Sequence, residues 1–189
     1  MVILQEVVQQ LQPKMLLTGK RVDFVQIDTP KGIVLNLEPE DAVITETSAT
    51  CAIRKDSGDD PDDTNGILIY ATVEKTAEAG INLLGGTGIG HVTKPGLACA
   101  VDGPAINPTP RKMITCELEK VMKEAGYDQG LQVTISAPEG VEIARKTFNP
   151  RLGILGGISI LGTSGIVEPM SEKALVETMY VELDAQAAA

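Results

Sequence analysis

The sequence predicts an α+β domain, with a mixed or largely antiparallel sheet, hairpins early in the chain and helices packed on it later. Three observations carry this. Short runs of alternating apolar and polar residues, joined by turns, fill positions 22–53. Helical patterns fall on Leu4–Leu11, the stretch after Pro110, the short Val141–Lys146 and residues 171–189. No strand leads through a glycine loop straight into a helix, which argues against a doubly wound, Rossmann-like layout.

At 189 residues the chain suits one domain with a real core. Aromatic residues make up 3% with no Trp, against a fold that stacks bases on aromatic platforms. The net charge of −10 opposes phosphate-backbone binding over the surface at large, so no nucleic acid partner is expected and any anionic ligand must sit in a local basic pocket. Cys51, Cys99 and Cys116 form no CxxC pair, which suits a reducing compartment rather than a disulfide framework or a zinc site. No apolar run approaches the roughly 20 residues of a membrane helix. The first residues lack a basic leading region, so a cytoplasmic location without membrane contact is expected.

In chain order, Leu4, Val7, Val8 and Leu11 share a helical face that ends before Pro13. Val22–Ile27 and Ile33–Leu37, around Thr29-Pro-Lys-Gly32, read as a hairpin; Ala42–Thr47 and Ala49–Ile53 read as a second pair of strands. The loop Arg54–Gly66 holds aspartates at 56, 59, 60, 62 and 63. It can be a solvated turn, the edge of a substrate pocket or a hard-cation site, but it does not fit the EF-hand spacing. Ile67–Val73 is a strand. Thr109-Pro110 marks a helix start, Ile114, Leu118, Val121, Met122 and Ala125 its apolar face, and Gly126 its end. Leu131–Ser136 is a strand, Val141–Lys146 a short helix, and Ser171 caps a terminal helix.

Two glycine-rich stretches stand out, Leu84–Gly96 (LGGTGIGHVTKPG) and Lys146–Pro169 (KTFNPRLGILGGISILGTSGIVEP). Neither fits a P-loop or a dinucleotide fingerprint. Apolar yet poor in side chains, they suit either tight turns between short buried strands or the wall of a ligand pocket that lets a ligand lie on main chain. His91, the sole histidine, lies in the first of them. Cationic residues flank both: Lys94 beside the first, and Arg145, Lys146 and Arg151 beside the second. Arg111 and Lys112 sit in the first turn of the predicted helix, where positive charge opposes the helix dipole by about 0.3–1 kcal/mol.

The stretches KDSGDDPDDTNG (55–66), GGTGIGHVTKPGL (85–97), PAINPTPRKMI (104–114) and VTISAPEGVEIARKTFNPRLGILGGISILGTSGIVEPMSE (133–172), in that order, resemble the cobalt-precorrin-5B (C1)-methyltransferase family of anaerobic cobalamin biosynthesis. The resemblance covers nearly the whole chain. It implies methyl transfer from S-adenosylmethionine to C1 of cobalt-precorrin-5B, a cobalt-containing tetrapyrrole, to give cobalt-precorrin-6A. Residues 1–189 resemble the family's N-terminal domain, without the Thr-Thr-Gly signature ahead of the first helix and without a C-terminal α/β domain to which 171–189 would lead. Homo-oligomerisation, or pairing with such a domain, follows as an expectation. So does an alternative in which the chain binds or assembles the tetrapyrrole without catalysing on its own.

A substrate rich in acetate and propionate groups calls for Arg and Lys. The expected substrate-binding residues are Lys94, Arg111, Lys112, Asn149 and Arg151. Gly85, Gly86, Gly88, Gly90, Gly157, Gly162 and Thr163 are expected to offer main chain to the methyl donor. Catalysis by alignment of a sulfonium methyl with a ring carbon needs neither a protein-bound metal nor a covalent intermediate, so none is expected and no catalytic residue is named.

Overall fold

A computed structural model of the chain describes residues 12–28, 34–57 and 63–161, with helical positions 176, 179, 180 and 183 beyond them. Its centre is a five-stranded sheet in the order β3-β4-β5-β9-β6. β3 (Glu40–Ile44), β4 (Ser48–Arg54) and β5 (Leu68–Thr76) form an antiparallel meander; β9 (Gly130–Ser136) adds antiparallel to β5, and β6 (Ile81–Gly85) adds parallel to β9. The sheet is therefore mixed, as expected. β1 (Val25–Asp28) and β2 (Val34–Leu37) form the expected antiparallel hairpin, whose turn lies outside the described residues.

Alternation decides which face of the sheet is core. Ala49, Cys51 and Ile53 of β4, Ile69, Ala71 and Val73 of β5, Leu131, Val133 and Ile135 of β9, and Leu83 of β6 are all buried. The register stacks them in rows, with Ala49 opposite Val73, Val73 opposite Val133, and Val133 opposite Leu83. Each fully buried aliphatic side chain is worth roughly 1.5–3 kcal/mol. The opposite face carries Thr50, Thr72, Glu74 and Gln132, paired through Thr50 Oγ1 to Thr72 Oγ1 at 2.9 Å and Gln132 Nε2 donating to Glu74 Oε2 at 3.0 Å. A polar, partly wet second face is ordinary for a mainly antiparallel sheet.

Helices close the apolar face. The helical residues 12–18, which we label α1, bury Met15 and Leu16, and Gln12 reaches Cys51 on β4. This corrects the expected stop at Pro13: the helix runs on to Thr18, because Met15 and Leu16 have core to bury, and ends at Gly19 with φ +67°. Whether Leu4–Leu11 form its apolar face lies outside the described residues. α2 (Pro108–Ala125) buries Pro110, Ile114 and Leu118 and ends, as expected, at Gly126 in the left-handed region. Its start corrects the expected cap: Asn107, not Thr109, is the N-cap, and Pro108 and Pro110 both fall in the first turn, where no helical donor is needed.

Two parallel neighbours need a long crossover. Between β6 and β9 the chain makes β7 (Gly88–Ile89), β8 (His91–Val92), a loop and α2; after β9 it makes α3 (Gly140–Ile143), a 3₁₀ turn over Ala144–Lys146, then β10 (Ile154–Leu155) and β11 (Gly157–Ile158). β11 pairs parallel with β7, and β10 antiparallel with β8, so the two glycine-rich stretches predicted from sequence come together.

Candidate active site

The parallel strands β6 and β9 end side by side, Gly85 opposite Ile135. From those ends the chain enters two tight segments, Gly86–Gly90 and Ala137–Gly140. They are tied by Gly86 N–H donating to Ile135 O at 2.7 Å and Ala137 N–H donating to Thr87 O at 2.8 Å. Irregular chain outside the carboxyl ends of parallel strands is where α/β sheets commonly hold ligands. Gly85, Gly86 and Thr87 retain solvent access there, while Gly88, Ile89 and Gly90 are buried.

The buried glycines are filled by the protein itself. A methyl group on Gly88 would lie 1.7 Å from Ala137 O, one on Gly157 2.3 Å from the Gly88 carbonyl, and one on Gly90 2.3 Å from Ile154 Cγ2. The missing side chains let main chain cross main chain. In the second glycine-rich stretch, Ile154, Ile158 and Ile160 are core and Leu155 and Leu161 are exposed. Gly162 and Thr163 lie outside the described residues.

The cationic candidates border a small satellite core of Val92, Ala105 and Ile154, with Leu97, Cys99 and Leu152 against it. The Lys94 stem covers Gly153, whose Cα a methyl could not join without coming within 2.5 Å of Lys94 Cγ. Arg151 precedes Leu152, and its guanidinium sits 5.6 Å from the centroid of the Phe148 ring. Arg111, in the first turn of α2, is close enough to Cys99 to favour its thiolate, although burial outweighs it and pushes that thiol up. Lys112 is exposed on the next position. Among the described residues none of Lys94, Arg111, Lys112 and Arg151 has an acidic ion-pair partner.

Asn149 is engaged differently: its Nδ2 donates to Gly157 O at 2.9 Å and its Oδ1 accepts from Ser159 Oγ at 3.2 Å, pinning the 147–153 turn to β11. His91 lies on the exposed side of β8, its Nε2 3.5 Å from Asp102 Oδ1, with both side chains mostly in water. Asp102 adopts φ +63°.

Beyond the satellite core, Arg54 grips Glu40 with Nε at 2.9 Å and Nη2 at 2.7 Å, and donates from Nη1 to Gly66 O. The hydrogen bonds to Glu40, with its negative charge, raise the Arg54 pKa. Tyr70 donates to Asp41 Oδ2 at 2.7 Å, which together with partial desolvation raises the phenol. Lys55 is 1% exposed; its Nζ donates to Ser57 Oγ at 2.5 Å, and its main chain closes the acidic loop through Ile67 and Gly66. Asp59, Asp60 and Asp62 lie outside the described residues, and among the described ones no three His, Cys, Asp or Glu side chains group as metal ligands. Sequence reasoning missed Phe148, one of two phenylalanines, 58% exposed among cations; its flanking Arg145, Lys146 and Arg151 were the available signal.

Comparison with known proteins settles the lineage. The CbiD family model matches residues 12–169, most of the chain. The chain belongs to the CbiD family. The cobalt-precorrin-5B C(1)-methyltransferase of Ruminiclostridium cellulolyticum is 58% identical over 170 residues, which is 90% of this chain and 44% of that protein. The enzyme of the same name from Thermoanaerobacter sp. is 55% identical over 89% of this chain and 45% of its own length. A crystal structure of the cobalamin biosynthesis protein CbiD from Archaeoglobus fulgidus superposes with a TM-score of 0.61 at 30% identity, covering 94% of this chain and 57% of that one. This CbiD-family chain thus spans about half the length of the curated relatives it matches. The fold it shares with CbiD is the α+β architecture expected from sequence, not a Rossmann-like one. Among the described residues, no helix is long and apolar enough to cross a membrane.

Proposed function

We propose that the chain takes part in S-adenosylmethionine-dependent methylation of C1 of cobalt-precorrin-5B, giving cobalt-precorrin-6A in anaerobic cobalamin biosynthesis, in the cytoplasm. The observation that carries this is its identity, above half over nine-tenths of its length, to proteins bearing that enzymatic name. The chemistry is a displacement at carbon: the ring C1 forms a bond to the methyl, the S–CH₃ bond breaks, and the sulfonium leaves as a neutral thioether while the macrocycle gives up a proton. Its main demand on the protein is alignment. In this reading Lys94, Arg111, Lys112 and Arg151 meet the carboxylates of the macrocycle, and Asn149 positions the turn that carries Arg151. Gly85 and Gly86 offer main chain to the donor beside the ends of β6 and β9, with Gly88, Gly90 and Gly157 packing the support beneath, and Gly162 and Thr163 are assigned to the same donor.

The half-length match supports a second reading, in which this chain holds the tetrapyrrole and turnover needs the part of those relatives that lies outside the match. That region, or a second copy of this chain, is then its partner. One experiment separates the two. The purified chain is incubated with cobalt-precorrin-5B and S-adenosylmethionine labelled in the methyl group, alone and with the remaining half of the R. cellulolyticum protein. Label in the corrinoid with the chain alone supports the first reading, label only with both supports the second, and no label in either removes the methyltransferase assignment. Arg111→Ala and Arg151→Ala should each weaken corrinoid binding about tenfold; unchanged affinity removes that residue from the site.

A further inference from the structure

Just past α3, residues 145–151 enclose a surface cavity of about 310 Å³ lined by Arg145, Lys146, Thr147, Phe148, Pro150 and Arg151. We infer that this cavity is a subsite for an acidic side arm and the adjoining flat edge of the tetrapyrrole, with Phe148 as the stacking platform and Lys146 and Arg151 as the carboxylate contacts. The inference rests on the substrate class proposed above, and adds Phe148 and Lys146 to it.

Four observations on the structure point there. First, the chain carries a net charge of −10, yet three cations fall within seven residues around this cavity, of which Arg145 is paired with Glu142 at 2.7 Å. A local positive field on an acidic protein is where a polyanion concentrates. Second, among the described residues Lys146 and Arg151 have no acidic partner, so their charges are available to a ligand.

Third, Phe148 stands 58% exposed in a chain with only two phenylalanines and no tryptophan. The Arg151 guanidinium lies over its ring, a geometry that fixes the planar fork and leaves its donors for a carboxylate. An aromatic face beside an oriented guanidinium suits a flat conjugated edge bearing an acid group.

Fourth, the turn that presents these groups is braced before any ligand arrives. Arg151 N–H and Leu152 N–H both donate to Phe148 O, Gly153 N–H to Pro150 O, Ile154 N–H to Asn149 O, and Thr147 Oγ1 to Ala144 O. Asn149 ties the same turn to Gly157 and Ser159, and Gly153 accepts the Lys94 stem against it. A rigid presentation saves the ordering cost of binding, which is what a subsite requires and a solvated surface turn does not.

The test uses cobyrinic acid, a cobalt corrinoid with free carboxylates, and cobinamide, in which the acid arms are amidated, each titrated by visible absorbance against the 189-residue chain. Wild type should bind cobyrinic acid at least tenfold more tightly than cobinamide, with affinity falling as salt rises. Phe148→Ala and the pair Lys146→Ala with Arg151→Ala should each lose about tenfold or more for cobyrinic acid while the urea midpoint holds, since these side chains are exposed. Lys123→Glu, a charge change lining a different cavity, should leave affinity within twofold. If wild type binds cobyrinic acid and the 146, 148 and 151 variants match it, the subsite is overturned and the broader substrate reading stands. Equal binding of the two corrinoids overturns the carboxylate contacts. No binding of either by folded wild type overturns the tetrapyrrole reading for this chain, and the subsite with it.

Discussion

Gly88 shows how much a single hydrogen in place of a methyl can decide. Its φ is +78° and its open side faces the Ala137 carbonyl, so Gly88→Ala combines backbone strain with a contact of 1.7 Å that only main-chain movement can relieve. Gly156, with φ +79° and nothing within 4 Å of the added carbon, isolates the strain alone. Gly156→Ala should therefore cost about 1–2 kcal/mol. Gly88→Ala should cost at least about 3 kcal/mol or prevent folding, as read from urea unfolding midpoints. Equal costs would mean that the crossing of β7 and the Ala137 turn is looser than described.

The three cysteines divide just as sharply. Cys51 is fully buried and its thiol is pushed up to about 12 by desolvation, against which the Gln12 amide acts weakly; Cys99 is half-buried and Cys116 exposed. A disulfide reagent at pH 8 should modify Cys116 fast, Cys99 slowly and Cys51 only after unfolding. Because the folded chain keeps the Cys51 proton that the unfolded chain loses near 9, stability is fully present below pH 9 and falls as pH rises towards 12. Across that window wild type should lose about 1.4 kcal/mol per pH unit more steeply than Cys51→Ala, measured by denaturation at pH 9–11. Tyr70, also raised, acts in the same direction in both proteins and cancels in the difference.

Among the elements, α2 was the most legible in sequence and also shows where legibility stops. Its buried Ile114 and Leu118 and its Gly126 stop follow from periodicity and from the ease with which glycine turns left-handed, whereas Ala125, expected on the same face, is exposed near the helix end. Its first turn did not follow, because Pro108 and Pro110 both suit it and the competition between Asn107 and Thr109 is settled by the Asn107 main chain, whose N–H donates to Ile160 O at 2.9 Å. Ile114 and Leu118, 1% and 0% exposed, are the link from α2 to the sheet; Ile114→Ala or Leu118→Ala should each cost about 2–5 kcal/mol, measured by thermal or urea unfolding. Met122→Ala makes a poor comparison, since Met122 is partly buried and packs at the core margin. Glu119→Ala, on the outer face, should cost less than about 0.5 kcal/mol.

At the scale of the whole molecule, the α+β class was readable because hairpin and helix patterns occupy separate stretches of sequence. The parallel junction of β6 with β9 was not: nothing local in INLLG or GLQVTIS distinguishes a parallel neighbour from an antiparallel one, and only the intervening crossover makes it so. The candidate cations were readable as cations near special loops, but their arrangement around the satellite core depends on β8 meeting β10, which no spacing announces. Charge offers a global check. With a net −10 on the chain, binding of a polycarboxylate must be local, so its affinity should fall several-fold between 50 and 200 mM salt, while the much smaller effect expected for an amidated analogue serves as the control.

The pairing of Gly88 with Gly157 also has a meaning in time. These positions lie 69 residues apart, so a chain growing from its N-terminus makes β7 long before the strand that will lie beside it exists. Until then the glycine-rich stretch has no mate to hold its shape, and long-range closures of this kind are slow steps. The meander can mature while the later stretch is still being synthesised, and the place where the two distant stretches join takes its form after it.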